Sequence, residues 1–256
     1  MPLFVRFGAE ELRVGLDLTT EQFWVRLLAP GAPFPTTAAP SPGNFRDTFE
    51  ACFADGAEAV ICPTIGSKLS ATFQSATLAA RELPEREIHV IDSECASMGE
   101  GLLLQVAAAL RDAGEPAAVI AQRTVARAAD LGFYVALETL EHLRRGGRIS
   151  GRQAAIGSVL AVKPIITIKD GVVETLDRVR TRSKARERLL ELITARPLDR
   201  LAILHARTAD IDTFREQVLA RTGLAPERIS TAVIGASIGP HVGPGAYGAV
   251  CLYRPS

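Results

Sequence analysis

The chain has 256 residues, 47% of them hydrophobic, with 29 basic and 29 acidic residues, so its formal net charge at pH 7 is zero. That length supports a large core in one big domain or two modest ones, and the lack of a basic field argues against nucleic acid as a partner. Cys52, Cys62, Cys95 and Cys251 form no CxxC pair and no His/Cys cluster at ligand spacing, so reduced thiols are expected, with no metal and no other cofactor. The start, Met1 to Phe7, is too short and too soon charged for a signal peptide, and no apolar run approaches membrane-spanning length, so a cytoplasmic protein is expected.

Residues 3–7 read as a strand and Thr20–Leu28 as a helix carrying Trp24. A proline-rich loop follows, up to Ser41-Pro42, where serine as N-cap and proline at the first helical position signal a helix start. Phe45, Phe49, Cys52 and Phe53 recur at helical spacing. An alternation then sets in: a strand over 57–62, a helix with Leu69, Phe73, Ala76, Ala80 and Leu83 on one face, and a strand over 88–92. Helices over 98–110 and 116–129 and a strand over 132–137 continue it. Strand and helix in turn imply right-handed crossovers and a mainly parallel sheet, with ligands bound beyond the carboxyl ends of the strands.

The stretch Glu141–Ser150, with Gly146-Gly147 as a point of reversal, divides this half from one of different pattern. Lys169-Asp170-Gly171 between two apolar runs predicts a hairpin. A charged helix over 183–194, strands over 201–205, 229–234 and 249–253, and a helix over 211–220 complete the chain. The expected fold class is α/β in two domains. Residues 1–146 form an N-terminal, mainly parallel α/β domain, and residues 147–256 a smaller C-terminal α+β domain with a mixed sheet.

The chemistry-bearing stretches are few. Thr37 to Ser41 and Gly66 to Thr72 put hydroxyls among small residues at helix entrances, where free N–H groups suit a phosphate or carboxylate. Ser41, Ser67 and Ser70 equally suit plain capping. Asp92-Ser93 ends a strand and faces either a cleft or the next helix. Gly99 and Gly101 inside a helix imply close packing or a closely approaching ligand. Arg148 and Arg182 suit an anion or simply solvent. His241, alone in the glycine-rich loop from 235 to 245, is placed for a ligand, a partner or a turn. No nucleophile with a paired base, no phosphate loop and no GxGxxG occurs. Two readings stand: a binding protein for a small anion or anionic head group, and a two-domain transferase or kinase-like enzyme acting on a phosphorylated metabolite.

Taken together, these stretches resemble the DegV family, the bacterial fatty-acid-binding proteins. The family's Thr-Ser-x-Pro-Ser is similar to Thr37 to Ser41, with Ala38 for serine. Its Ser-Ser-x-Leu-Ser-Gly-Thr is similar to Gly66 to Thr72, with Gly66 for serine and Ala71 for glycine. Asp92-Ser93, the run Leu140 to Ile149, Lys163-Pro164-Ile165, Arg180 to Arg182 and Gly239 to Gly245 follow in the family's order. The resemblance implies a long-chain fatty acid in a tunnel between the domains, its carboxylate held by Thr37 and Ser70, with Ser67, Asp92, Ser93 and Arg148 lining or supporting the site. It implies a carrier rather than an enzyme, presenting the fatty acid to a separate ATP-binding fatty acid kinase subunit, with Arg182 and His241 facing the kinase or the head group. The family also begins with a strand and a Thr-Asp-Ser turn ahead of the segment resembling Pro2 to Phe7. This sequence has neither, so either the chain start is misassigned or the first sheet has a gap, and a truncated start is the expectation.

Overall fold

The computed structural model describes residues 2–149 and 162–255; Ser150, the end of the dividing stretch, lies outside them. The first strands, β1 (Phe4–Phe7), β2 (Glu10–Arg13) and β3 (Thr36–Ala38), form an antiparallel sheet in the order β2-β1-β3. Between them runs α1 (Thr20–Leu28), opened by a reciprocal cap of Thr19 and Gln22. Its Phe23 and Trp24 are buried, and the Trp24 indole donates to the Ile234 carbonyl at 2.8 Å. α2 (Pro42–Ala54) starts as its sequence indicates, with Ser41 and Asn44 capping each other and Pro42 in the first turn.

The parallel sheet contains β4 (Ala59–Thr64) and β5 (Glu87–Asp92), in register from Ala59↔Glu87 to Thr64↔Asp92. Helices α2, α3 (Thr72–Arg81), α4 (Met98–Asp112) and α5 (Ala117–Ala128) pack on it. Phe45, Phe49, Ala76, Ala79 and Leu83 make its small core. Among the described residues the outer edge of β4 has no strand partner. Along it lies a groove walled by α2 (Phe45, Phe49), by β4 itself and by α4 (Gly101, Leu104), with Leu104 52% exposed.

The larger sheet is mixed. It combines β6 (Leu131–Ala136), β7 (Lys163–Lys169), β8 (Val172–Val179), β9 (Leu198–His205), β10 (Ile229–Val233) and β11 (Tyr247–Tyr253) in the order β10-β9-β11-β6-β7-β8. Only the β9–β10 pair is parallel among these neighbours. Asp170 and Gly171 turn the β7–β8 hairpin with φ of 51° and 72°, the left-handed pair that an Asp-Gly turn supplies. Helices α7 (Arg182–Ile193) and α8 (Ile211–Thr222) pack against this sheet. Every residue of β11 is buried. Its alternate residues Val250 and Leu252 join one core, and Tyr247, Ala249, Cys251 and Tyr253 the other, as the two-residue period of a strand requires.

The architecture is α/β, with a parallel sheet and a mixed sheet, as the sequence indicates, but two placements differ. The strand near 132–137, which strand–helix alternation assigns to the first sheet, lies in the mixed sheet between β11 and β7. The parallel sheet keeps two described strands, and the residues ahead of it pair antiparallel instead. α4 joins the halves: it packs against β4 and also against β9 and β11.

Candidate functional site

A cavity lies where these layers meet. Its walls are mostly apolar, with Leu3, Ile65, Leu69, Phe133, Ile166 and Val173 drawn from both halves of the chain. Polar side chains reach it from separate elements: Thr37 from β3, Ser70 from the β4–α3 connection, Thr72 from the start of α3, Arg148 from beyond α6 (Glu141–Arg145), and His241 from the short helix α9 (Gly239–Val242).

Each is fixed locally. Thr37 is paired with Val5 in the β1–β3 register, and its Oγ1 lies 3.1 Å from His241 Nε2. Ser70 Oγ and Thr72 Oγ1 share a hydrogen bond of 2.9 Å. Gly66 donates its N–H to the Cys95 carbonyl at 2.8 Å, stitching the loop after β4 to the loop after β5. Gly147, at φ 68°, reverses the chain after α6. Arg148 then donates from Nε to the Leu69 carbonyl (3.2 Å) and from Nη1 to the Gly146 carbonyl (2.7 Å). A guanidinium held by two carbonyls stays in place and keeps donors for an anion.

His241 is mostly buried against this charge. Burial first, then Arg148 and His142, hold its imidazole down to about 4, so it is neutral at pH 7. Its Nδ1 is buried and has no hydrogen-bond partner among the described residues. A Cβ at Gly146 would collide with that ring, so only glycine lets α6 and α9 approach this closely. His142 braces the same contact, with Nδ1 3.2 Å from the Pro240 carbonyl and its ring tilted 40° against that of Phe34.

Thus Thr37, Ser70, Arg148 and His241 come together at one cavity. The other candidates do not line it. Ser67 lies in an adjoining outer groove with Lys68, Gly147 and Val172. Asp92 accepts N–H bonds from Ser67 (3.1 Å) and Glu94 (2.9 Å), and buried Ser93 bonds the Cys95 backbone; both shape the loops behind the site. Arg182 is engaged elsewhere, in a network with Glu138, Thr208 and Asp210, its guanidinium 5.0 Å from the Tyr247 ring centre. Burial opposes ionisation of Asp210, but hydrogen bonds from Arg182 and Thr208 prevail and hold it at about 2. Gly99 packs on Cys95 and Gly101 on Met98. Sequence reasoning missed Glu100, a carboxyl on the cavity wall between those two glycines. Its only local signal was that flanking pair.

No group of three or more His, Cys, Asp or Glu able to hold a metal occurs among the described residues, and no described helix is long and apolar enough to cross a membrane. The sequence model of one family, described as "Uncharacterised protein, DegV family", matches residues 1–254. The chain belongs to the DegV family. A DegV domain-containing protein of Streptomyces coelicolor is 35% identical over 263 residues, spanning 99% of this DegV chain and 90% of the relative. The solved fatty-acid-binding DegV family protein of Thermus thermophilus superposes with a TM-score of 0.88 at 35% identity, covering 99% of this chain and 91% of that one. DegV of Bacillus subtilis, solved as a fatty acid binding protein, gives 0.84 at 30% identity, covering 98% and 89%. Structural neighbours of this DegV chain are therefore fatty-acid-binding proteins.

Proposed function

We propose that this protein binds one long-chain fatty acid in the central cavity, with the carboxylate at Thr37 and Ser70 and the acyl chain along the apolar walls. The observation that carries the reading is the composition of the cavity: an apolar space lined by hydroxyls, a backbone-tethered guanidinium and a neutral imidazole. A desolvated carboxylate requires hydrogen bonds, and each methylene moved from water into such a space contributes about 0.8 kcal/mol. The fatty-acid-binding DegV proteins of Thermus thermophilus and Bacillus subtilis support the ligand class.

The same reading makes the protein a cytoplasmic carrier without a catalytic group of its own. A separate ATP-binding kinase subunit would phosphorylate the bound carboxylate, with His241 beside the head group and the Arg182 network facing that subunit. The test is native and denaturing mass spectrometry of the purified protein, followed by titration of delipidated protein. A stoichiometric fatty acid is expected. Thr37→Val and Ser70→Ala should each weaken binding by about tenfold or more, the effect of removing a hydrogen bond to a charged group. Unchanged affinity in both variants rejects the head-group assignment, and nucleotide binding by the isolated protein would favour a transferase.

A further inference from the structure

The cavity borders two grooves. Leu69, Ser70, Arg148 and Val173 also line the outer groove beside the β7–β8 hairpin, so the Ser70 hydroxyl lies on that side. Glu100 is the residue shared by the cavity and the separate groove along β4. It stands in the first turn of α4, the helix that packs on both sheets. Ala96 and Phe133 lie on its cavity side, Cys62 and Leu104 on its groove side. Glu100 is thus a partition between two apolar spaces.

Among the described residues no cation pairs with it. Arg46 of α2 is engaged with Asp47 and Glu82, Arg123 of α5 with Glu115, and Arg127 with Asp130 and Asp199. Arg200 of β9 reaches α4 at Gln105, further along the helix. The other titratable groups around this partition are Cys52 of α2, Cys62 of β4 and Cys95, with Arg148 and His241 elsewhere on the cavity wall. Burial pushes the thiols of Cys62 and Cys95 up to about 11 and about 12, so neither supplies charge near neutrality.

Resting on the fatty acid reading, we propose that Glu100 is the chain-length gate of the cavity: its carboxyl closes the cavity against the β4 groove, and an acyl chain long enough to reach it must strip the water around it. Burial, partly offset by a hydrogen bond from the Ser97 backbone, pushes this carboxyl up to about 7. Below that point it is a neutral wall that methylenes can touch. Above it, contact with methylenes desolvates a charge. The gate therefore discriminates by length, and more sharply as pH rises.

The experiment titrates delipidated protein with saturated acids from decanoic to eicosanoic, at about pH 6 and about pH 8.5, on either side of the Glu100 ionisation. With each acid kept below its aggregation limit, so that its carboxyl ionises as a dissolved monomer, and with His241 neutral in the empty site at both pH values, the short acids report any pH effect at the head group, and only the excess in the long acids is assigned to Glu100. In the wild type at the lower pH, affinity should rise about fourfold per methylene and then level off for chains that reach Glu100. Glu100→Leu should continue the rise into the longer acids. At the higher pH the wild type should lose about tenfold or more for long acids only, since each pH unit between the ionisation points of the empty and filled sites costs tenfold. Glu100→Gln should remove that loss. Coincident length profiles for wild type and Glu100→Leu, or an undiminished pH effect in Glu100→Gln, overturn the gate while leaving fatty acid binding intact. If no acid of any length binds the wild type, the fatty acid reading itself falls, and the gate with it.

Discussion

His241 makes the protein sensitive to mild acid in a way that can be calculated. Its ring is held down to about 4 in the fold, against an ordinary value of 6.5. Above the ordinary value it is neutral whether folded or not and contributes nothing to the pH dependence. As pH falls below that value, the unfolded chain takes up a proton that the folded one refuses, and stability declines until pH reaches the folded value. The full difference corresponds to about 3 kcal/mol, and about 2 kcal/mol of it is lost by about pH 5. Urea unfolding of the wild type and of His241→Gln, at about pH 7 and about pH 5, isolates the contribution, because other groups titrate alike in both proteins. The wild type should lose about 2 kcal/mol more than the variant on acidification. A bound carboxylate beside the ring would favour its protonated form, so saturating fatty acid should shrink the difference. Equal acid sensitivity of the two proteins without ligand would refute the buried, neutral imidazole.

Two other expectations follow from packing. Gly146→Ala keeps an allowed backbone, with φ −76°, but drives a methyl into the His241 ring. It should cost about 1–3 kcal/mol, the usual range for overpacking, and weaken fatty acid binding along with the Thr37–His241 contact; thermal melting and ligand titration check both. The open edge of β4 predicts that supplying a strand ahead of Pro2 raises the melting temperature by about 5 °C or more, because it pairs that edge and covers Leu104. An extended protein that melts no higher would show that the groove does not accept a strand.

Much of the local structure was legible because its signals are local. Ser41-Pro42 and Asp170-Gly171 each specify their geometry within a few residues, and α1 spans the predicted Thr20–Leu28. What escaped notice depends on distant partners. Glu10–Arg13 has no apolar alternation, and Thr36–Ala38 sits among prolines; both are strands only because β1 lies between them. That missed strand is the one that fixes Thr37. The strand at Leu131–Ala136 was recognisable, but its choice of sheet was not, since alternation says nothing about which edge is free. At the site, Arg148 and His241 could be named from glycine-rich surroundings, whereas Arg182 is occupied by carboxylates far away in sequence, Glu138 and Asp210. Glu100 reads as a favourable acid in a first helical turn; only the tertiary packing of α4 makes it a wall of the cavity.

The position of β11 bears on how the protein is made. The last of the eleven strands among the described residues lies between β9 and β6 and is buried along its whole length. Until residues 247–253 leave the ribosome, both of those strands carry open hydrogen-bonding edges, and the two cores that meet across β11 lack their shared layer. Synthesis at roughly 5–20 residues per second leaves the nascent chain in that state for seconds, with edges of the kind that invite pairing with other chains. The mixed sheet is therefore an assembly of late closure. Its yield in a cell should respond to chaperone supply and to translation speed over the final segment more than to changes near the start of the chain.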